Sequence, residues 1–120
     1  MKFIPLSKKA GWDAPTQESL KEEFDNAGQF GEIRVGKDHL FYRSFIRVRF
    51  VPFRECSRIF LRIEFGEYGE FPVHEHYIIA KTRQEEEFAL RLDRPDDAKN
   101  VMVFLAKNHK GIELGKDREK

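Results

Sequence analysis

Between residues 41 and 62 the chain reads FYRSFIRVRFVPFRECSRIFLR, with Arg43, Arg47, Arg49, Arg54, Arg58 and Arg62 among aromatic and branched apolar residues and Glu55 as the single acid. A guanidinium is a planar fork of donors that fits phosphate or carboxylate, and an aromatic ring beside it offers a face for stacking. Twofold alternation puts Arg34, Arg47, Arg49, Arg58 and Arg62 on the outer face of neighbouring strands, with Phe60 among them. Arg47, Arg49, Arg58, Phe60 and Arg62 therefore form a candidate binding set for an acidic ligand. A solvated sheet face, with arginine stems lying over the strands and guanidinium groups meeting nearby carboxylates, accounts for the same pattern. In a third arrangement the acidic helix ahead of the stripe covers it, Leu20 or Phe24 against Phe60 and Glu22, Glu23 and Asp25 against the arginines.

The other chemistry-bearing pair is in VHEHY, where His74 and His76 fall on one strand face two residues apart, a spacing metal ligands on a strand can use. The sequence supplies no third ligand: His39 and His109 sit in unrelated segments and Cys56 has no partner at a recognisable interval. Glu85, Glu86 and Glu87 read as a turn and strand entry, since adjacent exposed carboxylates have no means of separating their pKa values for paired catalysis. A glycine-rich phosphate loop, a nucleophile elbow and a dinucleotide fingerprint are all missing from the sequence. These residues describe a noncatalytic binding or protein-interaction module without a cofactor, and the alternative is a small metal-dependent enzyme centred on His74 and His76.

The elements that must position these residues begin with PTQESLKEEFDNAG, a short amphipathic helix with Thr16 as cap, Leu20, Phe24 and Ala27 on one face and Gly28 as the stop. From Glu32 the period becomes twofold. Ile33 and Val35, then HLFYR after the Gly36–Asp38 turn, suggest a hairpin. Ile46, Val48 and Phe50 point inward until Pro52 ends the strand, and Ile59, Leu61, Ile63 and Phe65 repeat that pattern opposite Arg58, Phe60, Arg62 and Glu64. VHEHYIIAKT and EEFALRLD complete a count of six strands. A final helix, capped by Asp93, started by Pro95 and stopped by Gly111, carries Ala98, Val101, Met102, Leu105 and Ala106 as an apolar stripe facing Phe88, Leu90 and Leu92.

With 120 residues, 40% of them hydrophobic and 36% charged, the chain makes one soluble globular domain. Its net charge of +1 hides a segregation. Residues 12–33 hold six acids and one base, residues 34–62 eight bases and two acids, and residues 64–97 ten acids and four bases. This is not the uniformly basic footprint of a dedicated nucleic-acid binder. The first residues lack the apolar stretch of a signal peptide, no run of 18 apolar residues spans a membrane, and one cysteine suits a reducing compartment, so a cytoplasmic location is expected.

Residues 32 to about 115 resemble a bacterial pleckstrin-homology-like (PH-like) domain, on the strength of IRVGKDHLFYRS, the proline-containing break VPFRECSRIFLRI and the helix DDAKNVMVFLAKNH. The resemblance implies a strongly bent antiparallel sheet, or partly open small barrel, of six to seven strands closed by a C-terminal helix. It also implies a binding or scaffolding role. VGKDH holds one lysine and lacks the paired basic pattern of phosphoinositide-binding members, so no phosphate-binding residues carry over. The division expected is an N-terminal extension with a short helix (1–31), an α+β, mainly β domain (32–115) and a charged tail (116–120), with a protein partner or self-association as its mode of action.

Overall fold

The computed structural model describes residues 2–116 and shows a mainly β protein with two helices and two sheets. Residues 117–120 of the expected tail lie outside the described residues. The first sheet has the order β1 (Lys2–Pro5), β5 (Arg47–Pro52), β4 (His39–Ser44), β3 (Ile33–Val35), β2 (Gly28–Phe30). The second has the order β8 (Glu87–Leu92), β7 (Phe71–Thr82), β6 (Cys56–Tyr68), β9 (Glu113–Lys116). The two sheets are separate, so the strands do not close a barrel. The six strands read from the sequence correspond to β3–β8, while β1 and β9 add parallel edges to β5 and β6. No helix among the described residues is long and apolar enough to cross a membrane.

Helix α1 (Gln17–Asp25) starts where Thr16, in extended backbone, accepts a hydrogen bond from the Ser19 amide at 3.1 Å. It ends at Asn26, before Gly28, which already belongs to β2. The i, i+4 pair Leu20 and Phe24 sinks into the outer face of the first sheet, beside Phe3, Phe41, Val48 and Phe50. The rings of Phe3, Phe24 and Phe41 meet edge to face at 5.4–5.8 Å, the arrangement their quadrupoles favour. The Gln17 side chain bonds both the amide and the carbonyl of Phe3, at 2.9 and 3.0 Å, and so blocks the open edge of β1. Residues 1–31, expected as an appended extension, thus supply β1, α1 and β2 to the first sheet and its packing. The cause is Phe3, Leu20 and Phe24, whose apolar surface is removed from water only against this sheet.

The inner faces of the sheets enclose the main core. Ile33, Val35, Leu40 and Val51 from the first sheet meet Ile59, Ile78, Ala80, Leu90 and Leu92 from the second. Helix α2 (Pro95–Asn108) adds Ala98, Val101 and Leu105, with Met102 and Phe104 partly buried against the cluster. Ala106, expected in the stripe, is exposed. The helix caps also differ from expectation. Arg94 is the N-cap and, with a side chain that only donates, makes no cap bond, while Asp93 accepts from Arg91 at 2.9 Å and His109 closes the C-terminus before Gly111.

Of the residues assigned inward by alternation, Val48 and Phe50 are buried on the outer face of the first sheet beneath α1 rather than in the main core, and three others are exposed. Ile46 lies in the β4–β5 turn, and Ile63 and Phe65 lie on β6 beyond the reach of its neighbours. Strand β9 pairs only with Arg58–Leu61 and β8 only with His76–Lys81. The remainder of the β6–β7 hairpin projects as a two-stranded arm with Gly69, at φ 65°, in its turn. This arm accompanies an elongated shape, 48 × 29 × 28 Å.

Candidate binding surface

The arginine stripe is divided by the fold. Strand β5, with Arg47 and Arg49, belongs to the first sheet, and β6, with Arg58 and Arg62, to the second; a 3-10 turn at Phe53–Glu55 separates them. The expectation of one continuous face on neighbouring strands is therefore corrected. Phe60 is not exposed for stacking: it is buried, with the guanidinium carbons of Arg58 and Arg62 at 4.3 and 5.6 Å from its ring centre. Arg62 also approaches Glu87 at 3.8 Å. On the second sheet the alternation yields a cation-covered aromatic rather than an open site.

Helix α1 does not lie on that face. It covers the other sheet, where Arg34 sits 4.0 Å over the Phe24 ring and donates to the Phe24 carbonyl at 3.0 Å. Of its acids, Asp25 pairs with Lys21 at 2.7 Å and Glu23 turns toward His39. Oε2 of Glu23 accepts from the amides of Asp38 and His39 at 2.7 and 2.8 Å, and Nδ1 of His39 donates to Oε1 at 2.8 Å. Burial pushes the Glu23 carboxyl upward, but these bonds and the imidazole charge outweigh it and hold the group below its ordinary value. Gly36 is required here, since a Cβ would collide with the Glu23 carboxylate. The clamp fixes α1 to the β3–β4 turn. No local signal in the sequence marks it; the clue was a histidine heading the buried run Leu40–Phe41 and therefore needing a partner.

Arg47 and Arg49 are a different case. Both are exposed, and among the described residues neither side chain has an ion-pair or hydrogen-bond partner, their backbones being paired in the strand ladders. By contrast Arg43 donates to Phe45 O, Arg54 to Asp13 O and Arg83 to Arg54 O. Tyr42, Ser44, Phe45, Ile46, Arg47 and Arg49 line a shallow cavity of about 310 Å³ at the β4–β5 turn. Phe45 takes a left-handed φ of 58°. It is 92% exposed and Ile46 81%. The floor is anchored by Tyr42, whose hydroxyl donates to Arg91 O at 2.8 Å and so ties the first sheet to β8.

Beside this anchor lies a set of interacting charges. Burial and the adjacent Asp93 carboxylate push Glu32 above its ordinary value, against hydrogen bonds to the backbone that lower it. Burial, with the Glu32 charge, also raises the Tyr42 phenol. Arg91 links Asp93 to Glu75, and Glu75 accepts from the Tyr77 hydroxyl at 2.8 Å, which raises that phenol too.

His74 and His76 share the arm face with Ile63 and Phe65, as their cross-strand registers require. The His74 ring stands edge to face on Phe65 at 4.7 Å. Among the described residues no group of three His, Cys, Asp or Glu side chains converges to hold a metal ion. Cys56 is buried, and burial pushes its thiol up to about 12, so little reactive thiolate forms near neutrality. No protein-family model, curated protein or solved structure matches the chain.

Proposed function

We propose that this chain is a noncatalytic interaction module that holds an acidic protein segment at the β4–β5 turn, Arg47 and Arg49 taking its carboxylates and Phe45 and Ile46 its apolar side chains. Phe45 carries the reading. A side chain 92% exposed returns almost no packing, and a left-handed φ of 58° costs such a residue about 1–2 kcal/mol. The fold gains nothing from phenylalanine there, whereas an interface does, since aromatic and arginine side chains dominate binding energy where they become desolvated. Two guanidinium forks beside it set the sign of the partner.

The likeness to PH-like domains supports a binding role. The lone reduced Cys56 fits action in the cytoplasm.

The test is titration of the full chain with a labelled Glu-rich peptide carrying two phenylalanines, at low and near-physiological salt, with single-stranded nucleic acid and anionic vesicles as controls. Peptide binding should weaken as salt rises, because exposed charges are screened over about 8–10 Å. Arg47→Ser/Arg49→Ser should bind at least about tenfold more weakly, equivalent to 1.4 kcal/mol, with unchanged melting temperature. Equal binding by parent and double variant, or none at low salt, overturns the proposal.

A further inference from the structure

Six large hydrophobic side chains remain exposed among the described residues, and five of them stand on two hairpin tips: Phe45 and Ile46 on one, Ile63, Phe65 and Phe71 on the other. The tips have opposite charge. Residues 43–49 contain Arg43, Arg47 and Arg49 and no acid, while residues 63–75 contain Glu64, Glu67, Glu70 and Glu75 and no lysine or arginine. The arm is also a two-stranded ribbon, a form that is at best marginally stable in water without a further layer.

We infer that the occupant of the turn surface is the β6–β7 arm of a second copy of the chain. This rests on the binding role proposed for the turn. Charge complementarity selects the partner: the arm offers carboxylates to Arg47 and Arg49, and Phe65, 73% exposed on the arm face it shares with Ile63, is the anchor for Phe45 and Ile46. Because each copy carries both tips, arm-on-turn docking is made twice about a twofold axis, and the closed dimer leaves neither tip bare.

Sedimentation velocity of the full chain over a wide concentration range, at low and near-physiological salt, tests this. The parent should show a monomer–dimer equilibrium that shifts toward monomer as salt rises. Phe65→Ser/Phe71→Ser (arm) and Arg47→Glu/Arg49→Glu (turn) should each be monomeric, with the parent's melting temperature at concentrations where the parent too is monomeric, and Glu64→Lys/Glu67→Lys should repeat the arm result by charge alone. An equimolar mixture of the arm and turn double variants should regain association, since the intact arm of one meets the intact turn of the other. A monomeric parent at every concentration, a dimer insensitive to both kinds of variant, or a mixture that stays monomeric overturns self-docking. If the parent is monomeric while the acidic peptide still binds in an Arg47- and Arg49-dependent way, the turn surface stands and the second copy falls; if neither association occurs, both fall.

Discussion

The two halves of the β6–β7 hairpin share one alternation and have opposite fates. Over the core, Ile59, Ile78 and Ala80 are buried beneath α2 and the first sheet. Farther along the same strands and the same face, Ile63 is 41% exposed and Phe65 73%. The strand pattern fixes which side a residue points to; a facing layer decides whether water leaves it. Where β9 and β8 end, burial of that face ends.

Breaking the packed side should have the largest effects. Deleting residues 1–31 removes β1, α1 and β2 and strips Phe3, Leu20 and Phe24 from Phe41 and Phe50. Loss of a single cooperative thermal transition is expected in calorimetry; retention of one would make this segment dispensable to the fold. Leu105→Asp, which places a charge in the main core, should destabilise by about 4 kcal/mol or more in urea titration. The hairpin comparison is then sharpened by one chemistry at two places: Ile59→Ala should cost about 3 kcal/mol and Ile63→Ala less than about 1 kcal/mol. Equal losses would mean that the arm is packed as tightly as the core.

The charged groups give opposite pH signatures. Glu23 has a folded value below its ordinary 4.5, so its stabilisation is present above pH 4.5 and lost as pH falls through the lowered value. Glu23→Gln should therefore be less stable than the parent at neutral pH, the gap closing in acid. Glu32, with its folded value raised from 4.5, favours the folded state when protonated, and that benefit is lost as pH rises through the raised value. Glu32→Gln should gain stability at neutral pH and none in strong acid. Unfolding curves over this pH range check both signs.

Both helices and β4–β8 were legible because each carries a cap or about two full periods of alternation, and the three-residue β3 because the Gly36–Asp38 turn marks it as half of a hairpin with β4. Thr16, Leu20, Phe24 and the α2 stripe Ala98, Val101, Leu105 are where local pattern and packing agree. Strands β1, β2 and β9, of three or four residues, are too short to display a period and are defined by their neighbours. The candidate site was half legible. Arg47 and Arg49 could be named, but their separation from Arg58 and Arg62 follows from the chain changing sheets after Pro52. Phe60 was misplaced because its ring is buried with Arg58 and Arg62 stacked near it, a coverage that strand alternation does not encode. Glu23 and His39, sixteen residues apart, meet only through the docking of α1.

The smallest expected change in stability bears most directly on the central claim. Asn tolerates left-handed backbone, so Phe45→Asn should raise unfolding stability by about 1 kcal/mol while removing the aromatic surface. Measured together, denaturant unfolding and titration with the acidic peptide should show a variant that folds more stably and binds more weakly. A variant that binds as well as the parent, or loses stability, would contradict the assignment of Phe45 to a partner rather than to the fold.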